Sequence, residues 1–163
     1  MKIKLKPIKQ SYGFCGPASF KMVMDFFGEN HSQQYWAQLT ALKIIRGKIN
    51  IEYGCDDEKF VKVVEEIGYK GFCKDHSSIA EVKKFVKKQI PVIVNWFSPE
   101  EGGHFSVVVG FEKDKILLAD PHFGKIKKHN IEWFEDRWFD HMPYPIKSLN
   151  QLIWVRRICV VYK

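Results

Sequence analysis

Residues 104–120 read HFSVVVGFEKDKILLAD. Two apolar runs flank a polar junction, with Lys113 and Asp114 at its tightest point. Short apolar runs separated by a polar turn predict a β-hairpin. In an antiparallel hairpin the start of the first strand meets the end of the second. His104 opens the first strand and Asp120 closes the second, so the pairing places them side by side. Directly opposed residues lie about 4.5–5.5 Å apart across a ladder. A carboxylate there is expected to accept the Nδ1–H of the imidazole and fix its tautomer.

Outward from the hairpin, the second half continues as strands. PVIVNWF at 91–97 is a β-branched and aromatic run, and residues 125–129 extend the meander. A short helix is expected over 131–138 and a last strand over 153–162. The first half reads differently. Apolar residues Ala18, Phe20, Val23, Met24 and Phe27 recur at helical spacing over 16–27. Pro17 suits a first helical turn and Gly28 supplies a stop. Further helices are expected over 33–45, capped by Ser32 and broken by Gly47; over 57–67, capped by Asp56; and over 79–88, where Ser78 and Glu81 have capping-box spacing. A helical half followed by an antiparallel half predicts an α+β architecture.

The bulk composition permits one folded domain over residues 1–163. Hydrophobic residues make up 45% and charged residues 28%, which excludes a disordered chain. The net charge of +7 comes with no Arg-rich run and no helix-turn-helix pattern, so nucleic acid is not an expected partner. No run reaches the roughly 20 apolar residues of a membrane span. The basic start MKIKLKPIKQ lacks the apolar segment of a signal peptide, so a cytoplasmic location is expected. The four cysteines, Cys15, Cys55, Cys73 and Cys159, form no CxxC pair and no zinc-finger spacing. Asp56 and Asp57 lack the calcium-loop pattern, so neither metal nor cofactor is expected.

Chemistry enters with QSYGFCGPA at 10–18. Gly13 and Gly16 bracket Cys15 and allow a sharp backbone path. Cys15 immediately precedes the first helix, whose free N–H groups and positive partial charge favour a thiolate. The same N–H groups can hold an oxyanion. Gln10 stands five residues upstream, placed for its side-chain amide to fold back as a second donor. A thiolate nucleophile needs a base in reach, and His104 is the candidate because it stands at the junction of a glycine loop and a core strand. Cys55 precedes the third helix, where a capping role is expected. Arg156 and Arg157 read as a solvated strand face, and His122 and His129 as surface residues. Trp133, Phe134, Trp138 and Phe139 read as core packing.

The ordered set of segments resembles the peptidase C39-like group of papain-like cysteine proteases. The N-terminal match is Gln10 through Cys-Gly-Pro-Ala; the C-terminal match is GHFSVVVGF, then ADPHFG, then IEWFEDRW; EEIGYKGFCK and IPVIVNW resemble the middle region. The resemblance covers nearly the whole chain. It implies a papain-like fold and peptide hydrolysis through a thioester, with Cys15 as nucleophile, His104 as base and acid, Asp120 as orienting residue and Gln10 as oxyanion donor. Family members fused to ABC exporters cleave leader peptides after a double glycine. This sequence has neither a P-loop nor a membrane span, so the resemblance implies a stand-alone version acting on a peptide or protein. The same triad also serves acyl transfer to an amine, and a silent peptide-binding module is the remaining alternative.

Overall fold

The computed structural model describes residues 2–41, 43–141 and 153–163, leaving aside the side chains of Tyr53, His141 and Ile153. Helix α1 (Cys15–Phe27) buries Ala18, Phe20, Met22, Val23 and Met24. It ends at Gly28, whose φ of 100° only glycine adopts readily and whose N–H reaches the Asp25 carbonyl at 3.1 Å. Ser32 caps α2 (Gln33–Thr40), Asp56 caps α3 (Asp57–Glu66) and Ser78 caps α4 (Ile79–Lys87), each accepting from an N–H of the first turn.

The second helix is shorter than the sequence suggests. It stops at Thr40, whose carbonyl accepts from Asp56 N at 2.8 Å. Strands β1 (Ile44–Ile45) and β2 (Lys48–Ile49) then form a small hairpin. Arg46 and Gly47 at its tip have φ of 49° and 76°, the left-handed pair a two-residue hairpin turn requires. Turn geometry therefore overrides the apolar spacing of Ile44 and Ile45, which stay exposed. A 3₁₀ turn (Ile51–Tyr53) leads into α3.

One six-stranded antiparallel sheet carries the rest. Its order is β3 (Lys70–Lys74), β10 (Ile158–Tyr162), β4 (Val92–Ser98), β5 (Gly102–Glu112), β6 (Lys115–Asp120) and β7 (Lys125–Asn130). Strand β3 comes from the half that reads as helical, so the two halves share the sheet. Along β4, β5 and β6 nearly every residue is buried, which means both faces are covered rather than one. Helix α1 packs on β5, with Phe20 edge-on to Phe105 at 5.8 Å and stacked on Phe60 of α3 at 4.3 Å. At one sheet edge, β7 carries Lys125, Lys127 and Lys128, charges that discourage strand addition.

The last expected strand is two. β9 (Ile153–Val155) pairs with β8 (Phe139–His141), whereas β10 enters the main sheet between β3 and β4. The break falls at Arg156, with φ of 51°. The short helix α5 covers only Ile131–Glu135, because Arg137 turns away to give its carbonyl to Phe97 N at 2.8 Å. Phe134 and Trp138 are core residues, while Trp133 is only partly buried and Phe139 stacks on Phe97 at 5.6 Å.

Arg157 is not on a solvated face. It is 5% exposed and makes a two-pronged contact with Asp57, Nε–Oδ2 at 2.8 Å and Nη2–Oδ1 at 2.9 Å. Glu58 and Asp75 complete its cradle at 3.0 Å each. This network ties the start of α3 to the turn before β10.

The sheet positions the site through one irregularity. From the turn, Glu112 pairs with Lys115 and Gly110 with Leu117, but Val108 then pairs with Leu118, leaving Val109 as a bulge. An unbulged ladder would set Asp120 opposite Val107, on the other face from His104. The bulge shifts the register by one, so Asp120 falls opposite Ser106, on the same face as His104. The bulged carbonyl of Val109 is not wasted: Ile3 N donates to it at 2.6 Å, docking the N-terminal segment.

Candidate active site

Cys15 is the first residue of α1 and is partly exposed. Phe14 precedes it without a side-chain cap, so the first N–H groups of the helix are left for another partner. Gly13, with φ of 71°, makes the sharp entry. Gly16 is needed for a different reason: a Cβ there would lie 1.9 Å from Cys55 Sγ. Cys55 therefore packs beneath the start of α1, and the cap of α3 is Asp56 instead. Burial, then the nearby Cys15, push the Cys55 thiol well up. Cys73 and Cys159 face one another across the β3–β10 ladder, and both thiols are also raised: Cys73 chiefly by its hydrogen bond with Cys159, Cys159 by burial.

His104 is wholly buried on β5. Its Nε2 is 2.9 Å from Asp120 Oδ1, and the same oxygen accepts from His122 N at 2.9 Å. The geometry thus couples Asp120 to Nε2, where the hairpin argument expects Nδ1. Nδ1 faces the space beside Cys15. There it is in ion-pair contact with Glu101 Oε2 at 2.6 Å, yet makes no aligned hydrogen bond among the described residues. The atoms Cys15 Sγ, His104 Nδ1 and a Glu101 carboxylate oxygen all lie within 4.8 Å of one another. Burial by itself lowers the His104 pKa, but Asp120, Cys15 and Glu101 together outweigh it and raise it well above the usual histidine value.

Glu101 has no counterpart in the sequence reading, where it is merely part of a glycine loop. Besides His104, its Oε1 accepts from Gln10 Nε2 at 2.8 Å and meets His122 Nδ1 at 3.1 Å. The His104 contact, then His122, hold its carboxyl down at about 2 against the opposing effect of burial. Gln10 is itself anchored by its backbone, whose N–H donates to the Pro121 carbonyl at 2.8 Å. Its amide donates to the carboxylate whose other oxygen meets His104 Nδ1. No signal in the sequence links Glu101 to Gln10, which stand 91 residues apart.

Other histidines sort by burial. His122 is about a third exposed at the rim of this cluster. His129 is half-buried rather than superficial, stacked on Trp133 at 4.9 Å, and burial lowers its pKa. Among the described residues no helix is long and apolar enough to cross a membrane.

Known proteins resemble both the sequence and the fold. Residues 2–142 match the model of the Peptidase_C39 like family. The transport/processing ATP-binding protein ComA of Streptococcus pneumoniae is 32% identical over 127 residues, 76% of this chain but only 16% of ComA. Among solved structures, the peptidase domain of Streptococcus ComA superposes with a TM-score of 0.69 at 19% identity, covering 96% of this chain and 97% of that one. A C39-like peptidase from Bacillus anthracis gives 0.71 at 15% identity, covering 100% and 98%. A double-glycine-motif protease from an AMS/PCAT transporter, solved with its leader peptide, gives 0.67 at 18% identity, covering 98% and 92%. The fold is thus that of C39 peptidase domains, papain-like in its class, and the chain belongs to the Peptidase_C39 like family.

Proposed function

We propose that this chain is a cysteine peptidase in which Cys15 is the nucleophile, His104 the base and acid, Asp120 the orienting residue and Gln10 an oxyanion donor. One observation carries the reading: a buried imidazole tied through Nε2 to Asp120 turns its other nitrogen toward a thiol at a helix N-terminus. His104 takes the thiol proton, and the sulfur attacks the peptide carbonyl. Gln10 Nε2 and the Cys15 backbone N–H receive the oxyanion. The C–N bond then breaks as His104 returns its proton to the leaving amine. Water, deprotonated by His104, attacks the thioester, releases the carboxylic acid and restores the thiol.

The test is mass spectrometry of peptides incubated with the protein. Double-glycine leader peptides come first, because a neighbouring protease is bound to a leader peptide. Cleavage that needs Cys15 supports the reading; an amide formed with an added amine in place of the acid would redirect it to acyl transfer. Asp120→Asn replaces the carboxylate with a neutral amide that can present an N–H to Nε2, and so lets the imidazole adopt the wrong tautomer. Its kcat is expected to fall by about 10²–10⁴-fold with KM little changed, and wild-type kinetics would remove Asp120 from the site.

Glu101 occupies the ground that a substrate carbonyl must take. Its carboxylate engages both His104 and Gln10, so substrate has to displace it. One displaced charge-assisted hydrogen bond is worth about 1.5–3 kcal/mol, so Glu101→Gln is expected to raise kcat/KM by roughly ten-fold or more. The stability of the same variant gives an independent check. The Glu101 carboxyl is depressed in the fold, so its contribution is full above about pH 4.5 and is lost as pH falls toward about 2. The His104 pKa is raised, so its contribution is full below about pH 6.5 and is lost as pH climbs through its folded value. The stability gap between wild type and Glu101→Gln should therefore be widest in the mildly acidic range and close toward both ends. A gap that does not change with pH would dissolve the pair.

A further inference from the structure

We propose that Cys15, His104 and Glu101 form a zinc site whose occupation switches the enzyme off. The three donor atoms, a sulfur, an imidazole nitrogen and a carboxylate oxygen, lie within 4.8 Å of one another. That set suits zinc and not calcium or magnesium, which take oxygen. Zinc bonds of about 2.0–2.3 Å in a tetrahedron place ligand atoms about 3.3–3.7 Å apart. The 2.6 Å contact between His104 Nδ1 and Glu101 Oε2 must open slightly to admit the ion. Nδ1 is ready for it: the ring is wholly buried and this nitrogen makes no aligned hydrogen bond among the described residues.

The surroundings are also those of a metal site. Metal-bound histidine characteristically gives its other N–H to a carboxylate, which fixes the ring and raises its basicity. Asp120 holds Nε2 at 2.9 Å and is itself fixed by His122 N. Ligating carboxylates are likewise held by outer groups. Here Glu101 Oε1 is clamped by Gln10 Nε2 and His122 Nδ1, which leaves Oε2 for the ion. Glu101 is the most exposed of the three and forms the entry side. The one proton shared between the Cys15 sulfur and His104 Nδ1 leaves to solvent as zinc enters, Nε2–H stays on Asp120, and a water takes the fourth position. Zinc then occupies the sulfur and the nitrogen that attack on a carbonyl requires.

The binding does not rest on the peptidase reading, although the shut-off does. The test is titration of Zn²⁺ into the full chain against a chromophoric chelator, with Co²⁺ as a spectroscopic replacement. Wild type is expected to take up one ion, to give a thiolate-to-cobalt absorption band, and to lose that band in Cys15→Ser. Glu101→Gln and His104→Asn should each weaken zinc by about ten-fold or more. The two single-ligand variants cover the case in which Cys15→Ser fails to fold. Zinc bound equally well by Cys15→Ser, a cobalt complex without the thiolate band, or no uptake at low micromolar zinc would each overturn the site. Where a peptide is cleaved, one equivalent of zinc should stop the cleavage and a chelator restore it. Tight zinc binding with no cleavable peptide would leave the site standing and count against the peptidase; cleavage without zinc binding would do the reverse.

Discussion

Cys15→Ala should leave a folded protein that turns over no peptide. In a nucleophile–base system, losing the nucleophile alone costs about as much as losing the whole set, roughly six orders of magnitude in kcat. Nothing else in the cluster can take over. Among the described residues Cys15 is the thiol grouped with His104; Cys55 lies behind Gly16 and is buried, and burial raises its thiol pKa. The fold should be indifferent, since Cys15 is a partly exposed first residue of α1 and alanine is a good helix former. A change in stability within about 1 kcal/mol is expected. Thermal unfolding and a single-turnover cleavage assay, run on the same preparation, measure both halves. Residual turnover within a hundred-fold of wild type would assign the chemistry elsewhere.

Arg157→Met should be the most damaging single change to stability. It strips the partner from Asp57, which is 1% exposed. Removing one member of a buried ion pair costs about 3–5 kcal/mol because the other charge stays buried. Burial already pushes the Asp57 carboxyl up, and Arg157 is the strongest influence holding it down. Without the guanidinium, Asp57 must take a proton or draw in water at the junction of α3 and β10. For a chain of this length each kcal/mol shifts Tm by roughly 2–4 °C, so a drop of about 10 °C is expected. Asp57→Asn in the same chain should recover part of it by removing the stranded charge. A drop of less than about 3 °C would mean that the network is ornamental.

The sequence carries the local parts of this structure well and the non-local parts poorly. The helix over Cys15–Phe27 and its glycine stop follow from spacing and from Gly28. The hairpin follows from its two apolar runs and brings His104 near Asp120, but only half of that argument is visible in the residues. Whether the two side chains share a face depends on the Val109 bulge, and a run of three valines contains nothing to say which one is extra. The ring nitrogen that Asp120 holds is likewise a matter of where β6 ends relative to β5, and it is Nε2. Glu101, Gln10 and His122 meet through chain reversals that no period encodes. Arg157 looks like a surface charge because its partners, Asp57, Glu58 and Asp75, lie 82 to 100 residues away. Where the sequence misleads locally, a left-handed residue is responsible twice: Arg46 turns a predicted helix end into a hairpin, and Arg156 divides a predicted strand.

In the proposed mechanism Cys15 and His104 work as one unit. The most direct measurement is covalent capture with a peptide carrying a thiol-reactive electrophile at its C-terminus, read by mass spectrometry of the digested protein. Three of the four cysteines are held back by burial or by each other, so position alone should select Cys15. One adduct is expected, on Cys15, formed rapidly in wild type and lost in His104→Ala. Labelling spread over several thiols, or a Cys15 adduct that forms equally fast without His104, would contradict it.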